Sequence, residues 1–297
     1  MKAWKTLALA AAILCGGAPA LAAPASIADQ VAAFAKPTQA ERLAILKGLL
    51  DAHHLPYEVQ AFAGGKAGAP AEGYNVVVTL GEGDRDILLT AHYDAVVLKD
   101  GTLVDGVVDN AASVVALIQA AGVLQDARLN HRLRIVFTDQ EELGLLGAKA
   151  YATGPDAARV AAAINFDINA YGDTPFFADP GPSQPEAALS AAAQAGCEAT
   201  REACRAFVQY PPSDHLAFRK VGIPAVSFSY LPKDEVETLS VMMQKSQTAS
   251  PAGQDAPPRV LTVIHTSADT MAEVDPATVA RAARLAVEVV KAFDRKP

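Results

Sequence analysis

The sequence predicts an α/β fold: a single domain built on a mostly parallel, mixed β-sheet covered by helices on both faces. Three observations carry this. Apolar runs of strand length recur along the chain and are continuous instead of alternating, as strands buried on both faces read. Between them stand segments whose apolar residues repeat at helical spacing, so strands and helices alternate. Roughly 275 residues follow a leader-like N-terminus with no repeat and no low-complexity stretch, consistent with one large domain.

The chain opens MKAWKTLALAAAILCGGAPALAAPAS. Lys2 and Lys5 precede an apolar run at 7–14, and small residues follow at Ala20 and Ala22, the layout of a secretory signal peptide. Cleavage after Ala22 would leave residues 23–297 as the folded domain. The apolar run is too short to stay in a bilayer and no later stretch is long enough, so no stable membrane insertion is expected after cleavage. Cys15 follows Leu14, where a lipoprotein signal would want a small residue, so lipid anchoring is the weaker reading. A periplasmic or secreted protein is expected. Its formal charge of −8 argues against nucleic acid and anionic lipid as partners. Cys197 and Cys204 are the cysteines left after cleavage, and in an oxidising compartment two neighbours of this kind are expected to form a disulfide.

Taken in order, Thr38-Gln39-Ala40-Glu41 reads as a capping box. It opens a helix whose Leu43, Ile45, Leu46, Leu49 and Leu50 recur at helical spacing, and this helix should pack on the sheet. Strands are expected at 57–62, 74–80, 87–90, 133–138, 162–166 and 225–229, with helices at 111–124, 186–195 and 276–293. The stretch 230–258, rich in Pro, Ser and Gln, reads as a long loop able to cover a site. In a sheet of this class ligands gather at the carboxyl ends of the strands.

Those ends carry acids and histidines. The run at 87–91 passes into His92-Tyr93-Asp94, that at 133–138 into Asp139 through Glu142, and that at 162–166 into Asp167. Asp109 stands at a helix start and His265 before the last helix. Any one of these would be a solvated strand end or, for Asp109, a helix cap; together they point to metal. Imidazole and carboxylate are the usual ligands of zinc. Two ions sharing a carboxylate need about five protein ligands, and His92, Asp109, Glu142, Asp167 and His265 supply that number. Asp94 is expected to orient the His92 imidazole. Adjacent carboxylates at Glu141 and Glu142 repel and are costly to desolvate, so one is expected to bind metal while Glu141 stays free to take a proton from water.

The segments A-H-Y-D (91–94), G-V-V-D-N-A-A-S (106–113), E-E-L-G-L-L-G (141–147), N-F-D (165–167), S-D-H-L-A-F-R-K-V-G-I-P-A (213–225) and H-T-S-A-D-T (265–270) resemble, in order, the motifs of the dizinc aminopeptidases of metallopeptidase family 28. The resemblance implies a zinc-exopeptidase, phosphorylase/hydrolase-like fold, with the zinc peptidase catalytic domain at 23–297. It implies two zinc ions per chain bridged by Asp109, with His92 and Asp167 completing one set of ligands and Glu142 and His265 the other. It further implies Glu141 as general base and acid, a cis Asp109-Asn110 peptide, and Tyr210 as a residue that polarises the substrate carbonyl. The expected substrates are peptides with a free N-terminus; no oligomeric state follows.

His53, His54 and His131 are expected on the surface without acidic companions; His215 is expected in a structural hydrogen bond, with a place at the border of the substrate pocket as the alternative. Asp269 reads as a supporting or turn residue. A glutaminyl cyclase holding one zinc is the rival enzyme, and a non-catalytic binding protein on the same scaffold the rival outside enzymes. Carboxypeptidases with this ligand order insert a further domain before the last histidine, for which the stretch between Asp167 and His265 leaves little room.

Overall fold

A computed structural model describes residues 25–179, 181–247 and 256–295; the expected signal peptide, Cys15 included, lies outside the described residues. Helix α1 (Ile27–Ala32) begins under a reciprocal cap between Ser26 and Asp29. Helix α2 (Gln39–Ala52) begins at Thr38, whose hydroxyl oxygen accepts from the Glu41 amide while its proton goes to the Glu41 carboxylate. The expected capping box thus forms in a variant in which Glu41 takes the hydroxyl and not the Thr38 amide.

Among the described residues eight strands follow: β1 (Tyr57–Lys66), β2 (Ala69–Leu80), β3 (Asp86–His92), β4 (Arg132–Thr138), β5 (Val160–Phe166), β6 (Thr174–Ala178), β7 (Arg205–Phe207) and β8 (Ala225–Leu231). They form one sheet in the order β1-β2-β4-β3-β5-β8-β6-β7. Its centre, β4-β3-β5-β8, is parallel, with His92 beside Thr138 and Phe166 beside Phe228. The antiparallel pairs β1-β2, β2-β4 and β6-β8 flank that centre. Helices α3 (Ala112–Leu124), α4 (Leu146–Ala152), α5 (Gln184–Thr200), α6 (His215–Lys220), α7 (Lys233–Gln247), α8 (Val260–Val263) and α9 (Pro276–Asp294) complete the domain.

Alternate residues of each central strand enter different cores. Val76, Ile87, Leu89, Ile135 and Ile164 pack with α3, α9 and with Leu46 and Leu50 of α2. Their neighbours Val77, Leu88, Val136 and Ala163 pack with Tyr151 of α4 and Phe218 of α6. Both faces being covered, every position of such a strand is best filled by an apolar residue, which is why the runs are continuous.

Several expectations need correction. The stretch 230–258 is no plain loop: β8 runs to Leu231 and α7 fills Lys233–Gln247. Strands β6 and β7, five and three residues long, carry too short a pattern to be read from sequence. The segment Val107–Leu124 is long and apolar enough to cross a membrane, against the expectation that no such stretch follows the leader; it is mostly buried in the protein's own core. His131 does have an acidic companion, with Nδ1 2.9 Å from Asp294 Oδ1 on the last helix.

Cys197, near the end of α5, is bonded to Cys204, which directly precedes β7. Closing a loop this short should contribute about 2–3 kcal/mol through the unfolded chain. Reduction, or Cys204→Ser, is accordingly expected to lower the melting temperature by about 4–10 °C. A calorimetric scan showing no change would contradict it.

Candidate metal centre

The three central strand ends and two loops bring the acids and histidines together. His92 ends β3, Glu141 and Glu142 follow β4, and Asp167 follows β5. Asp109 sits in the turn Val107–Ala111 ahead of α3, and its peptide bond to Asn110 is cis. His265 follows α8. Gln140, Ile168 and His265 all have left-handed backbones, with φ of 57°, 57° and 59°. For a β-branched residue such as Ile168 this is costly and persists only when neighbours impose it. Here they do: Ile168 donates its amide to Asn110 Oδ1 and accepts at its carbonyl from the Tyr230 amide.

Asp109 is the centre of the arrangement. Its Oδ1 lies 3.0 Å from His92 Nε2 and its Oδ2 3.1 Å from His265 Nε2. Asp167 Oδ1 is 3.6 Å from His92 Nε2, and Glu142 Oε2 is 3.2 Å from His265 Nε2. Two donors on one tetrahedral zinc, with bonds of about 2.0–2.1 Å, stand about 3.3–3.4 Å apart. The observed separations fall in two groups that share Asp109, one bracketing that figure about His92 and one lying slightly below it about His265.

Supporting groups hold each loop. Asp94 accepts from the amides of Glu141 and Glu142 and so supports the Glu141-Glu142 turn; its Oδ1 lies 3.4 Å from His92 Nδ1, which makes no hydrogen bond. Asp269 accepts from the amides of Val107, Val108 and Asp109. Asn110 donates to the Phe166 carbonyl on one side of Asp167 and accepts from Ile168 on the other, fixing β5 against the Asp109 turn.

The electrostatics show what is being held. Burial pushes the Glu141 carboxyl up to about 10 and Glu142 up to about 7. The carboxylates of Asp109 and Glu142 lift His265 to about 10. Burial opposes a charged His92, yet Asp109, Asp167 and Asp94 outweigh it and hold the imidazole well above its ordinary range. Burial likewise opposes an ionised Asp109, but the two imidazoles facing it keep it below the usual carboxylate range. The cluster therefore draws protons to itself as a substitute for positive charge. Glu142 Oε1 and Asp167 Oδ1 are buried with no hydrogen-bond partner. Oxygen and imidazole donors, orphaned acceptors and an excess of buried negative charge fit a divalent cation.

Proximity alone does not separate the two glutamates. A carboxylate oxygen of Glu141 lies within 4.8 Å of donor atoms of both His92 and Asp167, so it is also within reach of a cation. The difference is His265, which contacts Glu142.

A cavity of about 230 Å³ opens beside the acids. Its far walls are apolar, formed by Phe176, Leu231, Leu239, Val260 and Ile264. Tyr210 lines it too, but the Ser229 hydroxyl donates to the Asp167 carbonyl, so the Tyr210 hydroxyl must be the donor to Ser229. Polarising a substrate carbonyl would require that bond to break. His215 is buried in edge-to-face contact with Tyr210, and its Nδ1 has no hydrogen-bond partner. Burial drops its pKa to about 3, keeping it neutral. Sequence reasoning gave no role to Asp214, which is fully buried, accepts from Thr138 and is pushed up to about 7 by burial. Ser229 and Arg42 were passed over as well, since their roles depend on partners distant in sequence.

The family model "Peptidase family M28" matches residues 75–290. The chain belongs to peptidase family M28. Within a shorter stretch it is 32 % identical over 130 residues to leupeptin-inactivating enzyme 1 of Streptomyces exfoliatus, covering 41 % of this chain and 28 % of that protein. The chain spans only a fraction, 10 % and 28 %, of the length of the curated relatives it matches. Among solved structures, a zinc aminopeptidase from Bacillus subtilis is 19 % identical with a TM-score of 0.58, over 77 % of this chain and 51 % of that one. Glutaminyl cyclase from an Acidobacteriales bacterium is 21 % identical with a TM-score of 0.68, over 94 % and 99 %. These last two likenesses concern the fold alone, and the M28 chain shares it with both.

Proposed function

We infer that this M28 protein is a zinc-dependent aminopeptidase that removes N-terminal residues from peptides and carries two zinc ions. The observation that supports it most is the Asp109 carboxylate, which turns one oxygen to each of two imidazoles. His92 and Asp167 would hold one ion, Glu142 and His265 the other, with Asp109 common to both. Zinc, when bound, supplies Lewis acidity toward the scissile carbonyl and toward water.

The rest falls to the chain. Glu141 accepts a proton from the attacking water and returns it to the leaving amine. Cationic charge beside it would lower its proton affinity from the metal-free value toward the working range. Asp94 holds the Glu141 amide, fixing where the carboxylate can reach. The acids at the cavity mouth favour a substrate with a free, positively charged amine. Residues 1–22 would be removed on export to the periplasm or beyond, where the Cys197–Cys204 bond is stable.

A glutaminyl cyclase with one zinc is the second reading, favoured by an end-to-end likeness to the Acidobacteriales structure that the half-length overlap with the Bacillus aminopeptidase lacks. One experiment separates them. Metal analysis of the purified protein is combined with a digest of peptides bearing free, acetylated or glutamine N-termini. Two zincs and release of the first residue from free N-termini only are expected. One zinc, with loss of ammonia from the glutamine peptide and an intact chain, would transfer the assignment to the cyclase.

A further inference from the structure

Among the described residues the largest fully buried side chain is an arginine in a helix that the family match, which starts at residue 75, does not include. Arg42 lies in α2 and spends every guanidinium proton on a backbone carbonyl. Nε donates to Tyr93 at 2.7 Å; Nη1 to Phe34 at 2.8 Å and Asp105 at 2.5 Å; Nη2 to Gly106 at 3.1 Å and, at the limit of a hydrogen bond, to Asp94 at 3.5 Å. Three residues earlier on the same face of the helix, Gln39 donates to the Ala95 carbonyl at 2.6 Å. Five of the six acceptors lie within the loops directly after His92 and directly before the Asp109 turn, at Tyr93, Asp94, Ala95, Asp105 and Gly106.

Gly106 shows how tightly this is built. Its φ is +57°, its carbonyl accepts from both Arg42 and the Ala111 amide that closes the turn, and a Cβ there would meet Ala95 at 2.6 Å and the guanidinium at 3.1 Å. A planar fork with five donors can gather carbonyls from two loops at once; a lysine, with three donors at one point, cannot. The guanidinium also faces acids. Burial lowers its pKa to about 10, and Asp94, Asp269, Asp109 and Asp105 keep it charged at neutral pH.

We propose that Arg42, assisted by Gln39, is a positioning residue of the metal centre: it clamps the His92 and Asp109 loops to one another and makes helix α2 part of the catalytic unit. Resting on the metallopeptidase reading for its consequence, the clamp itself is a property of the chain with or without metal.

The test uses the full chain with Arg42→Lys, Arg42→Met and Gln39→Ala. Hydrogen exchange is followed on metal-free protein, so it reads the clamp even if the zinc assignment fails. Exchange in peptides covering 93–96 and 104–111 should rise at least about tenfold in Arg42→Lys, with β5 and α9 changing far less. In zinc-loaded protein, well below each variant's melting temperature, zinc affinity should fall by about 10–100-fold, as when other supporting partners of metal ligands are lost. The value of kcat should fall with KM little changed, and Gln39→Ala should show the same pattern more weakly. A uniform rise in exchange across the chain, or wild-type zinc affinity and kcat in a folded Arg42→Lys, would reduce Arg42 to a general stabiliser and overturn the proposal. If neither Arg42 variant folds, Gln39→Ala decides: local exchange and zinc affinity unchanged from wild type would overturn it as well.

Discussion

Replacing Glu141 by glutamine is expected to lower turnover on an unblocked peptide by about 10²–10⁴ while zinc content stays normal. Glutamine keeps the shape and the backbone hydrogen bond to Asp94, so the turn that carries Glu142 should be undisturbed. What is lost, on the proposed mechanism, is the group that takes the proton from water. Added zinc should not restore it. Glu142→Gln should behave in the opposite way: zinc affinity falls, because a charged oxygen facing His265 is lost, and activity returns in part when zinc is supplied in excess. Metal analysis and kcat on the same preparations decide the matter. Because Glu141 also stands near His92 and Asp167, loss of zinc in Glu141→Gln would identify it as a ligand and withdraw the proton-transfer role.

Chelating the metal should produce a protein whose melting temperature falls as pH rises from 5 to 9, by about 5 °C or more. In the metal-free fold Glu142 titrates at about 7 and Glu141 at about 10, against an ordinary 4.5, and His265 at about 10 against 6.5. In each case the folded state holds a proton that the unfolded chain has already released. Stability from these groups is complete below the unfolded value and is lost as pH rises toward the folded one. The window therefore runs from about 4.5 to 7 for Glu142, and on toward 10 for Glu141 and His265. Asp109, held below its ordinary value of 3.8, acts in the other direction only in acid, and His215, dropped from 6.5 to about 3, opposes the trend only below about 6.5. With zinc present the trend should weaken or reverse, since metal needs its ligands deprotonated. A chelated protein whose melting temperature is flat or rising over that range would show that the acid cluster is not under the strain described.

The chemistry-bearing residues were legible from sequence because each sits directly after a run of apolar residues or at a helix boundary. Continuous apolar strands require a sheet covered on both faces, and such a sheet places its strand ends on one edge, so His92, Glu141, Glu142 and Asp167 had to meet there. Strands three to five residues long, such as β6 and β7, leave no period to read, and α7 was hidden by a polar composition that resembles a loop.

Partnership was what only the tertiary structure could decide. Arg42 occupies one position in a helix whose leucines recur at helical spacing, yet it lies on the most buried line of that helix, with Leu46 and Leu50. No local rule would bury an arginine there; it is buried because five carbonyls from segments up to 64 residues away need donors. The same holds for Asp269, whose three amide donors lie about 160 residues upstream, and for Tyr210, whose hydroxyl is bonded to Ser229. A sequence determines which groups can ionise, bind or donate and roughly where the strands end. Which donor finds which acceptor is a matter of three-dimensional closure, because a buried polar group is stable only beside a partner that the rest of the fold brings to it.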